Sequence, residues 1–224
     1  LNLGIRASNT DVVIILGAHS EVYPDFISEN IRILMAHPDA GCVGGIIESV
    51  NENAFAQGIA KAMSSPFGVG NAHFRTGQHE GYVDTVAFGA YRREVFQRAG
   101  YFDDTLVRNQ DDEFNFRITK HGFRIFLAKS IRSKYFVRSS LTKLIRQYYQ
   151  YGYWKVFVNT KHQTITSFRQ VVPALLVLLA ATGILGLFSS GFLLLYLTGM
   201  LSYLLAALVS AFRVANNSNE FFVS

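Results

Sequence analysis

Four short apolar runs alternate with amphipathic stretches along the first 130 or so residues. Val12 to Leu16 is wholly apolar and β-branched, the pattern of a strand buried on both faces of a parallel-type sheet. Pro24 opens a helix that runs to about His37, with Ile27, Ile31 and Leu34 along one face, and Pro38-Asp39-Ala40-Gly41 ends it. Cys42 to Ile47 reads as the next strand and Asn53 to Met63 as a helix. Ser65 to Gly81 mixes glycine, polar and aromatic residues without a period, so it reads as a loop; irregular loops of that length in a compact domain are usually functional. Tyr82 to Val86 is a strand, Arg92 to Ala99 a helix, Asp111 to His121 a helix and Arg124 to Leu127 a strand. Alternation of this kind predicts an α/β domain over residues 1–139.

The pattern then changes. Val171 to Phe212 contains no charged side chain, and a membrane-spanning helix needs about 20 apolar residues, so the run is long enough for two helices turning at Ser189-Ser190-Gly191. A buried soluble hairpin is the alternative. Lys161 and Arg169 before the run and Arg213 after it place both ends, and the α/β domain with them, on the cytoplasmic side of a cell membrane. Between domain and run, residues 140–170 carry Leu141, Leu144, Ile145, Tyr148, Tyr149 and Tyr151 at roughly helical spacing among basic residues. This suits an amphipathic helix at the headgroup level, or a plain surface helix of the soluble domain. Residues 213–224 form a tail.

Charge sharpens that division. The net charge is +5, yet fifteen of the sixteen acids lie at or before Glu113, and Lys129 to Arg169 holds nine Lys or Arg and no acid. A basic block running into an apolar segment suits an anionic leaflet, so membrane lipids rather than nucleic acid are the predicted partner. Cys42 is the only cysteine, which excludes an intrachain disulfide and reads as a small buried hydrophobe.

The densest chemistry is Gln110-Asp111-Asp112-Glu113. Acids at a helix start complement its dipole, which accounts for one or two of them. Three side by side repel one another, and such crowding is tolerated where a cation or a proton transfer needs it.

Gln110-Asp111-Asp112-Glu113-Phe114-Asn115-Phe116-Arg117 resembles the Glu-Asp-x-Asp/Glu-Leu-x-x-Arg element of family 2 glycosyltransferases, and Gly100-Tyr101-Phe102-Asp103 resembles that family's Gly-Gly-Phe-Asp turn. Ser65 to Asn71, Val83 to Arg93 and Gln147 to Lys155 are similar to the branch that includes succinoglycan-type exopolysaccharide enzymes. The resemblance implies a GT-A domain with C-terminal membrane helices that moves a sugar, with inversion, from a nucleotide-sugar donor to a polyprenyl-diphosphate-linked or glycan acceptor. Within it the general base falls on Asp111, with Asp112 and Glu113 in support. Asp84, Gly89 and Arg117 fall among the substrate-binding positions. Gln150-x-x-Tyr153-Trp154 is similar to the Gln-x-x-Arg-Trp motif of processive synthases, with Tyr153 where arginine is usual; a cluster of interfacial aromatics is the other reading.

Two features depart from the family pattern. Its Asp-x-Asp element, which holds Mn²⁺ or Mg²⁺ against the donor diphosphate, is here Gly17-Ala18-His19, leaving His19 as the candidate metal ligand. The family's base-binding portion precedes that strand, whereas Asn2 to Ser8 resembles the helix immediately before it. The expectation is therefore a partial GT-A domain. A non-catalytic membrane scaffold that keeps the fold is the alternative function.

Overall fold

The computed structural model describes residues 1–50, 54–138, 140–167, 169 and 171–216. In chain order the elements are α1 (Asn2–Ala7), β1 (Val12–Ile14), β2 (Ser20–Val22), α2 (Phe26–Ala36), β3 (Ala40–Val50), α3 (Ala54–Met63), α4 (Pro66–Val69), α5 (His73–Thr76), β4 (Gly81–Val83), β5 (Ala87–Arg92), α6 (Arg93–Ala99), α7 (Gln110–Lys120), β6 (Arg124–Phe136), α8 (Leu141–His162), α9 (Val172–Thr182), a 3₁₀ turn (Gly183–Leu187) and α10 (Ser190–Asn216). Asn53, the expected start of α3, and the tail beyond residue 216 lie outside the described residues.

One sheet organises the domain, in the order β1-β5-β3-β6-β2, with β4 also paired to β6. The expected parallel environment of the first strand is corrected. β1 pairs antiparallel with β5 and is half-buried, Leu16 is exposed, and β3 with β6 is the one parallel pair among the described residues. The reason is β5 itself, which returns between β1 and β3; its Ala-Phe-Gly-Ala core is too poor in β-formers to announce a strand.

The last strand, expected over four residues, runs to Phe136 because a bulge lets it continue. Ala128 pairs with Gly45 and Arg132 with Ile46, so three residues of β6 stand opposite none of β3. Gly45 makes room for this: a Cβ there would lie 1.7 Å from the Ile131 carbonyl oxygen. Before the bulge β6 takes β4 on its other edge, and after it β2, a short strand the pattern does not foretell.

Each sheet face has its own core. On one, α2 lays Phe26, Ile33 and Leu34 on Val43, Ala90 and Phe126. This face of α2 is turned from the expected one, since Ile27 is exposed and Ile31 only half-buried. On the other, α6, α7 and the turn between them pack Phe96, Phe114, Ile118 and Phe102 on Tyr91, Ile125 and Leu127. Ring centroids there lie 4.5 Å apart for Phe102–Phe114 and 5.3 Å for Phe96–Phe114, and such pairs add about 0.5–1.5 kcal/mol each beyond area burial. Asn2 of α1 donates to the Phe102 carbonyl at 2.8 Å and accepts from the Phe102 N–H at 3.1 Å, pinning the turn that leads to α7. Cys42 is fully buried with its thiol pKa pushed up by burial, as a structural cysteine should be. The expected loop over Ser65–Gly81 holds two single-turn helices, α4 and α5, the first capped by the Ser65 hydroxyl, which accepts from the Phe67 N–H.

The C-terminal run forms a helical hairpin. Ser190–Ala215 is 26 residues long and apolar enough to cross a membrane, while the segment Val172–Leu187 is shorter. Leu194, Leu195, Leu201, Leu205 and Phe212 are exposed along α10.

Candidate active site

The three acids open α7, but they are not equivalent. Asn109 precedes them at φ 60°, a left-handed conformation that asparagine tolerates, and its side chain donates to the Tyr151 carbonyl of α8 at 2.9 Å. This fixes where the helix starts relative to α8. The chain then turns successive carboxylates in different directions.

Glu113 points inward and is completely buried. It takes Arg117 at 2.9 Å, Lys161 at 3.0 Å and His162 at 3.0 Å. Burial alone would push its carboxyl up, but the hydrogen bonds from Arg117 and Lys161 outweigh it and hold the pKa below the ordinary value. Asp112 faces α8, where it is paired with the buried ammonium of Lys155. Lys161 also reaches Asp103 in the Gly100–Asp103 turn, whose carboxyl is lowered to about 2 despite partial desolvation. Two of the three acids are thereby neutralised by cations from α7 and α8.

Asp111 is different. It makes no ion pair among the described residues and is exposed to solvent. Protein displaces enough water around it to raise its pKa, and the charge of Asp112 raises it further; backbone N–H groups at the helix start and Lys155 pull the other way. Its carboxylate also acts electrostatically on the hydroxyls of Tyr91 and Tyr151. A reachable carboxylate with a raised pKa, standing on a braced helix, is equipped to accept a proton near neutral pH.

The helix that braces it is α8, which the apolar and aromatic spacing leads one to expect; its polar stripe is what turns toward the domain. Gln147, Tyr151, Lys155, Val158 and His162, spaced four, four, three and four apart, meet the domain, whereas Ile145, Tyr149, Tyr153, Val156 and Phe157 are exposed. Tyr149, Tyr153 and Phe157 face outward, while Lys155 and His162 face inward onto the α7 acids. Gln147 donates to the Tyr151 hydroxyl at 2.8 Å, and Gln150 accepts from Arg108 at 3.2 Å. Tyr153 stacks with Tyr149 at 6.3 Å and meets Trp154 edge-on at 5.6 Å, so this pair belongs to the outward aromatic face.

The remaining predicted positions sit elsewhere. Arg117 spends its donors on Glu113 and on the Ala99 and Tyr101 carbonyls, tying α7 to the end of α6. Gly89 is buried, and a Cβ there would approach Cys42 Sγ at 2.7 Å, so packing requires glycine. Asp84 pairs with Arg169 at 2.7 Å in a cleft of about 590 Å³ that also includes His73, Thr119 and Thr166. His19 is exposed in the turn between β1 and β2.

Residues 12–216 match the family described as "Glycosyl transferase family group 2". The chain belongs to this family. It is 32% identical over 230 residues to a Methanococcus voltae protein, dolichyl N-acetyl-alpha-D-glucosaminyl phosphate 3-beta-D-2,3-diacetamido-2,3-dideoxy-beta-D-glucuronosyltransferase, covering 98% of this chain and 66% of that one. It is 28% identical over 166 residues to the succinoglycan biosynthesis protein ExoA of Rhizobium meliloti (strain 1021), covering 74% of this chain and 50% of that one. The chain thus spans about two thirds and one half of these relatives' lengths. Among solved structures, the mannosyltransferase PcManGT of Pyrobaculum calidifontis, in complex with GDP-Man and Mn²⁺, superposes with a TM-score of 0.52 at 16% identity, covering 95% of this chain and 65% of that one. That likeness shows the GT-A fold.

Within this member of the family the described residues do not build a cation site of their own. No group of three His, Cys, Asp or Glu side chains among them is arranged to hold a metal ion, and His19 is exposed at its turn. At Gly17 a Cβ would already lie 3.2 Å from the Phe88 ring, so a longer side chain would have to displace that ring. Three functional neighbours escape a motif-based reading: Lys155, Lys161 and His162. Their signal is the polar stripe on α8, but its partners lie some forty or more residues earlier.

Proposed function

We propose that this glycosyltransferase moves a sugar from a nucleotide-sugar donor to a hydroxyl of a lipid-linked or glycan acceptor, with inversion at the anomeric carbon. Asp111 takes the proton of the acceptor hydroxyl while that oxygen attacks the anomeric carbon. The bond from that carbon to the donor phosphate oxygen breaks on the opposite face, and the nucleotide leaves with its bonding pair. One observation carries the reading: of three adjacent acids, Asp112 and Glu113 are neutralised by neighbouring cations, leaving Asp111 reachable and without an ion pair. The paired carboxylates still serve, because they fix α7 against α8 and so fix the direction of Asp111. Negative charge near the anomeric carbon also favours its oxocarbenium-like transition state.

The family and the two curated relatives support sugar transfer in glycolipid or polysaccharide assembly. The Mn²⁺ complex of PcManGT supports use of a divalent cation, which would offset negative charge on the leaving phosphate; His19 is the candidate side chain here that would contact it. The roles assigned to Asp111, Asp112 and Glu113 do not depend on that cation. The helical hairpin supports a membrane protein that crosses more than once, with basic flanks and the sugar-transfer domain on the cytoplasmic side and the outward aromatics of α8 at the lipid surface.

Product stereochemistry tests the reading. The full chain in lipid nanodiscs, supplied with an α-linked nucleotide sugar and an acceptor, should yield a β-linked product by NMR, and D111N should form it about a hundredfold or more slowly. A retained α linkage, or undiminished product from D111N, overturns it.

A further inference from the structure

Arg75 is a cation of this domain outside the ion pairs that hold α7 against α8. It sits on α5, in the segment between α4 and β4, with its guanidinium carbon 5.4 Å from the Tyr135 ring centroid and 5.4 Å from that of Phe74. Its Nη1 is closed to solvent and has no hydrogen-bond partner among the described residues. A buried donor on a charged group left unpaired costs free energy, so folds usually close such a donor with an anion or a carbonyl. Arg117 and Arg92 show the ordinary solution, with carbonyl oxygens of Ala99, Tyr101, Ala40 and Leu34 on their guanidinium groups. Arg75 departs from it.

Its surroundings show what the spare donor faces. Tyr135, whose ring lies under the guanidinium, has its hydroxyl 3.5 Å from Gln147 Nε2, and the same nitrogen donates to the Tyr151 hydroxyl at 2.8 Å. Tyr151 in turn is within electrostatic reach of both Arg75 and Asp111, the first lowering and the second raising its pKa. Arg75, Tyr135, Gln147 and Tyr151 therefore form one polar group; Asn109, two residues before Asp111, donates to the Tyr151 carbonyl at 2.9 Å, and Tyr151 and Asp111 are open to solvent. Such a group combines a cation with two hydroxyls and an amide. Among the described residues no acid forms an ion pair with the Arg75 guanidinium.

We propose that Arg75 binds phosphate oxygens of a substrate in the active site, holding them beside the base Asp111. This rests on the sugar-transfer reading of the site and adds to it the group that holds the substrate's charge. Guanidinium presents paired N–H donors that match two oxygens of a phosphate, which lysine cannot reproduce. Both substrates of a transfer to a lipid-linked acceptor bring phosphate: the donor a diphosphate, the acceptor the phosphate of its lipid carrier. Arg75 fits either.

Binding, not turnover, is the test, so its outcome is separable from that of the general-base claim. Titrations of the full chain in nanodiscs would use inorganic pyrophosphate as the donor-like probe and farnesyl phosphate as the lipid-like probe. R75Q should weaken at least one of them by about tenfold or more, at 1.4 kcal/mol per factor of ten, and R75K should recover part of that loss. Loss confined to pyrophosphate assigns Arg75 to the donor, and loss confined to farnesyl phosphate assigns it to the acceptor. The proposal is overturned if the parent binds neither probe, or if R75Q, folded with a parental melting curve, binds both unchanged. Should R75Q fail to fold, R75K decides alone: it keeps the charge over Tyr135, and unaltered binding of both probes by it counts against the forked contact.

Discussion

Replacing Lys155 with methionine keeps an unbranched stem against α7 but removes the cation that Asp112 faces. The side chains of Lys155 and Asp112 are 8% and 18% exposed, so the pair is largely dry. Removing one member of a buried pair costs about 3–5 kcal/mol, because the other charge stays buried without compensation. Asp112 keeps some contact with water, which puts K155M at the lower end, about 3 kcal/mol. For a chain of this size each kcal/mol moves Tm by about 2–4 °C, giving a fall of roughly 6–12 °C. D112N/K155M removes both charges and should recover most of it. A second consequence is electrostatic. Lys155 lowers the Asp111 pKa, so without it that pKa climbs further above its ordinary carboxylate value. A base works only when deprotonated, so the acid limb of the pH–rate profile moves to higher pH in K155M. Scanning fluorimetry in detergent and turnover of a nucleotide sugar across pH read both effects. If K155M melts within about 2 °C of the parent and keeps its acid limb, α8 does not brace the catalytic helix as described.

Glu113 gives a pH signature of its own. Its folded pKa is lowered, so its stabilising contribution is complete above the ordinary carboxyl value of 4.5 and is lost as pH falls through the folded value. Tm should drop on acidification below about pH 4.5, and E113Q should be destabilised near neutrality by roughly 3 kcal/mol while flattening that dependence; an E113Q curve parallel to the parent's contradicts the assignment. G45A would drive a Cβ into the Ile131 carbonyl and should cost about 3 kcal/mol or more, seen as a lower Tm or loss of soluble fold. Y149S/Y153S/F157S removes exposed aromatics from α8 and should leave the Tm of the domain within about 2 °C. Because other hydrophobic helices remain, its readout is lipid contact: quenching of the nearby Trp154 by brominated lipid should change, and identical quenching counts against an interfacial α8.

Much of the site can be read from the chain. The acids of α7, the Gly100–Asp103 turn and the uncharged C-terminal run are local features, and each lies where its spacing places it. What depends on distant partners is not legible in the same way. β5 is built from small residues whose strand conformation comes from the neighbours β1 and β3, and the long β6 depends on a bulge that only Gly45, on another strand, permits. The apolar stripe of α8 tells only of its outward side; the spacing of Gln147, Tyr151, Lys155 and His162 is visible, but the identity of their partners is not. Arg75 carries no motif at all. Its interest comes from a buried donor without an acceptor, which only coordinates reveal.

The most direct measurement is the turnover number of D111N beside its affinity for the donor. Loss of a general base lowers kcat by about 10²–10⁴-fold, and donor binding should stay at the parental value because the carboxylate serves the acceptor. A D111N enzyme with parental kcat would contradict the account, whatever its affinity.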